Sequence, residues 1–308
     1  MRIWTPLLAL LLLVPLKAQE QDTFKADVKL VNVFVTVTDQ QGAPVGNLRK
    51  QDFKISEDGV PQKISIFSKE SELPLSIVIA VDTSSSTRKD IRLELEAARQ
   101  FIHSIVRAQD GVAIYQFSSS VTELTPFTSN VKHIDSAIDQ MRVGGGTSLY
   151  DAIYLGAKAL IHRQGRKVLV LITDGGDTTS SVDYQEALRA AQMSEALVYS
   201  LIDVPVESSA GRNTGGEHAL IQISNDTGGK YYYASGVAQL ERSFSQISDE
   251  LRTQYLLAYY PVPRMAASDF RQIDVDAHPN AAADPKGSEE GEKLIVRARR
   301  GYYTSKLE

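Results

Sequence analysis

The chain has 308 residues, 43% hydrophobic and 23% charged, which suits one large or two modest packed domains and excludes disorder throughout. Its 33 basic and 38 acidic side chains give a formal charge of −5. That argues against nucleic acid as a partner, because such binding needs a basic face. Cysteine is absent. Disulfides, thiolate zinc sites, iron–sulfur clusters and a cysteine nucleophile are therefore excluded, and any metal site must use oxygen or histidine.

Residues 1–18 read as an export leader. Arg2 supplies the positive start, residues 7–16 are apolar apart from Pro15, and Leu16 and Ala18 sit where a cleavage site needs modest side chains. The apolar run is too short for a spanning helix, which needs ~20 residues. Cleavage would remove Arg2 and Lys17 and no acid, carrying the charge from −5 to −7. The expectation is an exported protein, periplasmic or extracellular, with no stable membrane insertion once the leader is gone.

Residues 25–68 alternate in a β pattern, with Val28, Leu30, Val33, Val35 and Val37 first, then Pro44-Val45, Phe53 and Ile55, and Ile64, Ile66 and Phe67. Turns fall at residues 39–42 and 57–59. Four or so short antiparallel strands are predicted. About 45 residues rarely close a core of their own, so this segment needs strands or a surface from elsewhere in the chain.

From residue 73 the pattern changes. Residues 76–81 form a continuous apolar run, as expected of a strand buried on both faces. Ile91, Leu95, Ala98, Ile102 and Ile105 then recur on one helical face. Further strands are predicted at 111–117, 168–172 and 197–202, with an edge strand at 230–233. Helices are predicted at 131–141, 149–162, 182–194, 217–226 and 237–251. Alternation of this kind means a doubly wound, mostly parallel sheet covered on both faces. Residues 254–260, 270–275 and 294–298 again read as strands, separated by a polar loop at 281–292. They are expected to complete a β-sandwich with residues 25–68, leaving the α/β unit as an insertion. The organisation expected is a leader (1–18), an N-terminal β segment (19–72), the α/β unit (73–250) and a C-terminal β segment (251–308).

Ligand groups gather where parallel strands end. Asp82 follows the first buried run and Asp174 the run at 168–172. Asp82, Ser84 and Ser86 are spaced to face one point from a loop, and Thr147 opens a helix after Gly144-Gly145-Gly146. Three hydroxyls and two carboxylates are hard donors that suit Mg²⁺, with Mn²⁺ next.

Asp-x-Ser-x-Ser, a distant Thr and Thr-Asp-Gly after a buried strand resemble the metal-ion-dependent adhesion site of von Willebrand factor A (VWA) domains, at Asp82, Ser84, Ser86, Thr147 and Asp174. The flanks are similar to the VWFA-related family typical of acidobacteria. They include the opening Val-x-Val-x-Val-Thr-Asp-x-x-Gly, residues 255–260 and Arg300-Gly301-Tyr302. Thr87 departs from it where many relatives carry Met. The resemblance implies that Ser84, Ser86 and Thr147 contact the metal directly, that Asp82 and Asp174 act through water, and that a partner's acidic side chain completes the sphere.

Other residues have blander readings. A Ser-rich loop after a strand is most often a helix cap. Gly144–Gly146 lacks the Lys-Ser/Thr of a phosphate loop. Asp177 and Asp90 could form a second cation site but read more simply as turn and helix acids, and Asp203 as a loop acid. His103, His133, His162, His218 and His278 show no ligand spacing. The sequon at Asn225-Asp226-Thr227 matters only in a glycosylating host. The function expected is a non-enzymatic, metal-dependent module that binds a protein partner. The alternatives are a metal-assisted hydrolase, for which no nucleophile–base motif is visible, and a scaffold whose metal only stabilises. The partner and the oligomeric state are not encoded legibly.

Overall fold

The computed structural model describes residues 30–69, 73–85, 91–203, 214–262, 269–279 and 293–305. The leader, Thr87, Asp90 and the loop at 281–292 lie outside them.

The chain opens with β1 (Val31–Thr38), then β2 (Phe53–Glu57), β3 (Val60–Gln62) and β4 (Ile64–Lys69). Residues 44–48 were expected to resume a strand; instead they form a loop held to β1 by a single bridge, Thr38 to Pro44. The reason lies more than two hundred residues away. The Tyr255 hydroxyl donates to the Val45 carbonyl (2.7 Å) and accepts the Leu48 N–H (3.0 Å), so the backbone groups of this loop are satisfied without a ladder.

The α/β unit follows. It comprises β5 (Leu75–Asp82), α1 (Ile91–Ile105), β6 (Gly111–Phe117), β7 (Val121–Thr128), α2 (Val131–Asp139), α3 (Leu149–Ile161) and β8 (Arg166–Thr173). Then come α4 (Tyr184–Ser194), β9 (Leu197–Asp203), α5 (Thr214–Thr227), β10 (Lys230–Ala234) and α6 (Val237–Thr253). The six strands lie in the order β10-β9-β8-β5-β6-β7. All pairs are parallel except β6–β7. β7 was not anticipated: it hairpins onto β6 at the sheet edge, where its Pro126 is tolerated.

Alternate residues of the central strands enter two separate cores, as the twofold pleat requires. Ile77, Ile79, Val168 and Val170 pack under α1, α2 and α6. Val78, Ala80, Leu169 and Leu171 pack under α3, α4 and α5. The sheet is therefore buried on both faces, which is why its strands are continuously apolar.

The C-terminal segment supplies β11 (Tyr255–Tyr259), β12 (Phe270–Ala277), β13 (Ile295–Arg297) and β14 (Gly301–Tyr303). These join the opening strands in two antiparallel sheets, β13-β1-β11-β4 and β14-β12-β2-β3. One apolar cluster containing Val33, Val35, Phe53, Ile55, Leu257 and Ile273 draws on both sheets. Each half of the chain thus lends strands to the other.

Candidate functional site

The register of the parallel sheet brings the two acids together. Val81 of β5 lies beside Ile172 of β8, so Asp82 ends one strand next to Thr173, and Asp174 lies one residue beyond. Asp82 is fully buried. Its Oδ1 accepts the Ser84 N–H at 2.8 Å, and its Oδ2 accepts the Thr173 hydroxyl at 2.7 Å. The Thr173 oxygen in turn accepts the Gly175 N–H at 3.1 Å. Thr173, a residue the sequence did not single out, therefore pins both acid-bearing loops. The available signal was a hydroxyl directly before the acid at the strand end.

The remaining loops are tied to the same rim. The Thr83 N–H donates to the Phe117 carbonyl, and the Gly144 N–H to the Thr83 carbonyl, both at 2.8 Å. Thr147, buried just before α3, donates its N–H to Thr178 Oγ at 2.8 Å. Its carbonyl accepts the N–H groups of Thr178 (2.8 Å) and Thr179 (3.2 Å). Ser148 donates its N–H to the Ser118 carbonyl and shares a 2.8 Å hydroxyl bond with Thr179. These loop bonds leave two donors uncommitted. Among the described residues, neither the Thr147 hydroxyl nor the Asp174 carboxylate makes a hydrogen bond or ion pair.

Glycines let the loops approach. Gly146 and Gly175 both adopt positive φ (69° and 96°). Gly216, in the first turn of α5, lies so near Gly175 that a Cβ there would fall 1.4 Å from the Gly175 carbonyl oxygen.

Asp82, Ser84, Thr147 and Asp174 thus lie on or beside one rim, while Ser86 lies outside the described residues. Asp177 has a structural role: its Oδ1 accepts the Tyr150 N–H at 3.2 Å and the Ser180 hydroxyl, joining the loop to the start of α3. Asp203 ends β9 beside Ala234.

The electrostatics favour a cation. Burial pushes the Asp82 carboxyl up to about 6, against the opposing hydrogen bonds from Ser84 and Thr173, and the Asp174 charge raises it further. A buried acid beside a second acid is relieved either by a proton or by a metal. Among the described residues no group of three or more His, Asp or Glu side chains is placed to hold a metal. The donors here are instead two carboxylates and neutral hydroxyls, a set that fits a hard divalent ion.

Residues 77–176 match the family model described as von Willebrand factor type A domain. No curated protein matches the chain by sequence. Similar solved structures include the conserved hypothetical protein BatB from Bacteroides thetaiotaomicron, 17% identical with a TM-score of 0.47, over 58% of this chain and 100% of that one. Proximal thread matrix protein 1 from the mussel byssus is 14% identical with a TM-score of 0.51, over 64% of this chain and 51% of that one. The pilus adhesin SpaC from Lactobacillus rhamnosus GG is 12% identical with a TM-score of 0.49, over 80% of this chain and 47% of that one. The sheet order, the two helical layers and the match over β5 to β8 make the central α/β unit similar to a von Willebrand factor type A domain.

Proposed function

We propose that the chain is an exported, non-enzymatic interaction module that binds a protein partner through a divalent cation. Asp82, Ser84, Ser86, Thr147 and Asp174 would hold Mg²⁺ or Mn²⁺, and an acidic side chain of the partner would complete the coordination. The observation that carries this reading is the pairing of a fully buried Asp82 with a neighbouring Asp174 and an uncommitted Thr147 hydroxyl on the rim. The bound ion supplies positive charge at an otherwise acidic rim. The neutral hydroxyls of Ser84, Ser86 and Thr147 would leave that charge largely uncompensated, so an external carboxylate would be attracted despite the chain's net negative charge. The chain's own residues orient the ligands. Thr173 holds Asp82, and the contacts of Thr178 and Thr179 with the Thr147 backbone hold that residue at the rim.

Export rests on the leader-like residues 1–18. Among the described residues no helix is long and apolar enough to cross a membrane.

The test is calorimetric titration of Mg²⁺ and Mn²⁺ into the purified chain, followed by capture of partners from native envelope extract with and without EDTA. Saturable metal binding and EDTA-sensitive capture, both lost in Asp82→Ala with its circular dichroism unchanged, are expected. Capture indifferent to EDTA would reduce the site to a stabilising one. Metal-dependent turnover of ester or phosphoester substrates would favour the hydrolase instead.

A further inference from the structure

At the opposite end of the parallel sheet from the acidic rim, a small cleft opens where the α/β unit meets the antiparallel sheets. Asn32, Lys167, Glu195, Thr227 and Arg299 are among its lining residues. It brings together β1, the start of β8, the C-terminal end of α4 and the segment after β13.

Arg299 dominates it. Its side chain is 8% exposed. Its Nη2 donates to the Asn32 carbonyl at 2.6 Å, and its Nη1 stands 3.2 Å from Glu195 Oε1. Nε nevertheless has no hydrogen-bond acceptor among the described residues. A buried guanidinium N–H without an acceptor is destabilising, so it marks a place where an acceptor belongs. Glu195 pairs with Nη1 and leaves Nε unmet. It does so from a left-handed backbone position (φ 60°) that a non-glycine residue rarely adopts. Asn32 is an exposed residue of β1, so its side-chain amide stands at the mouth of the cleft rather than inside it. The Thr227 hydroxyl is already committed to Ile223, Ser224 and Val198.

We propose that this cleft is a site for a small carboxylate, seated on the Nε side of Arg299. The cation–donor pairing selects an oxyanion, since guanidinium and carboxylate match in plane and charge. Size narrows the class. The cavity holds about 30 Å³, enough for two waters or the head of a monocarboxylate, and small for a tetrahedral phosphate. Because Arg299 and Asn32 come from opposite ends of the chain and Glu195 from the α/β unit, an occupant ties the two sheets to that unit. The site is independent of the metal rim, and its test is run in EDTA.

Thermal unfolding of the full chain is measured at constant ionic strength with chloride replaced by acetate, and separately by phosphate. The expected result is a saturable rise in Tm with acetate beyond that with chloride, absent with phosphate and absent in Arg299→Gln. Should Arg299→Gln fail to fold, Glu195→Gln decides. Removing the competing carboxylate should lower the acetate concentration at half-effect by about fivefold, as expected for a partly exposed charge. The nitrogen-15 resonance of Arg299 Nε should move along the same titration. An acetate response equal to that of chloride, or one that Glu195→Gln leaves unchanged, would mean that water alone fills the cleft and would overturn the proposal.

Discussion

Replacing Asp82 with Asn separates the proton from the metal at the acidic rim. Burial holds the Asp82 carboxyl at about 6, against 3.8 when exposed. The folded state therefore binds this proton more tightly than the unfolded chain does. In the metal-free protein, stability falls as pH rises from about 4 to about 6, by about 3 kcal/mol in all, and is flat above that range as far as this group is concerned. A divalent cation needs the ionised carboxylate, so its apparent affinity should fall up to about tenfold per pH unit below pH 6. The assay is urea unfolding across this range, in EDTA and in saturating Mg²⁺, for the wild type and Asp82→Asn. The difference between the two proteins cancels every other titrating group. The variant should lose the dependence between pH 4 and 6 in EDTA and show no stabilisation by Mg²⁺. At a concentration about 100 times Kd, the wild type should gain about 2.7 kcal/mol. Equal pH profiles for the two proteins, or a variant still stabilised by Mg²⁺, would refute the reasoning.

Three further perturbations probe the scaffold. Glu250, 2% exposed on α6, pairs with Arg297 (2.6 Å) and Lys230 (3.5 Å) and accepts the Tyr199 and Tyr232 hydroxyls. Glu250→Gln leaves a largely buried arginine uncompensated, and urea unfolding should show a loss of about 3 kcal/mol; a loss below about 1 would deny the cluster its weight. Tyr199, Tyr232, Tyr259 and Tyr302 are all pushed well above the ordinary tyrosine range, first by burial and then by Glu250 or Glu57. The unfolded chain releases those protons first, so stability should decline as pH rises past about 10, by ~1.4 kcal/mol per unit for each tyrosine involved; a flat profile to pH 11, about one unit higher, would contradict it. Gly216→Ala drives a methyl into the Gly175 carbonyl. The start of α5 must then shift, and Mg²⁺ affinity should drop at least about tenfold, which calorimetry reads directly.

The α/β order was readable because each central strand is buried on both faces and so stands out as an unbroken apolar run. The same rule located Asp82 and Asp174, since both follow such runs. β7 escaped because an edge strand needs no such run and its Val121–Thr128 sequence carries Pro126. The loop at 44–48 misled because Val45 looks like a strand residue, and the hydroxyl that satisfies its carbonyl belongs to Tyr255. At the rim, the positions of the acids and hydroxyls were legible but their mutual bracing was not. Thr173 bonding Asp82, and Thr178 and Thr179 bonding Thr147, join residues about 30 to 90 positions apart. Contacts of that span depend on register, which no local pattern carries.

The α/β unit leaves the antiparallel sheets by β4 and returns by β11, and these two strands are hydrogen-bonded neighbours with Lys69 opposite Tyr255. Entry and exit therefore stand about 5 Å apart. A short turn joining them would convert the same pair into a simple hairpin and leave both four-stranded sheets intact. The α/β unit is in this sense a cassette, transferable between hosts or removable from this one with a single splice. The scar would be chemical rather than topological. Phe34, which packs against the α1–α6 core, and the arginines at 297 and 299 would be stripped of their partners. A minimal β protein cut from this chain would need Phe34 changed before it dissolved well, whereas water would solvate the freed arginines.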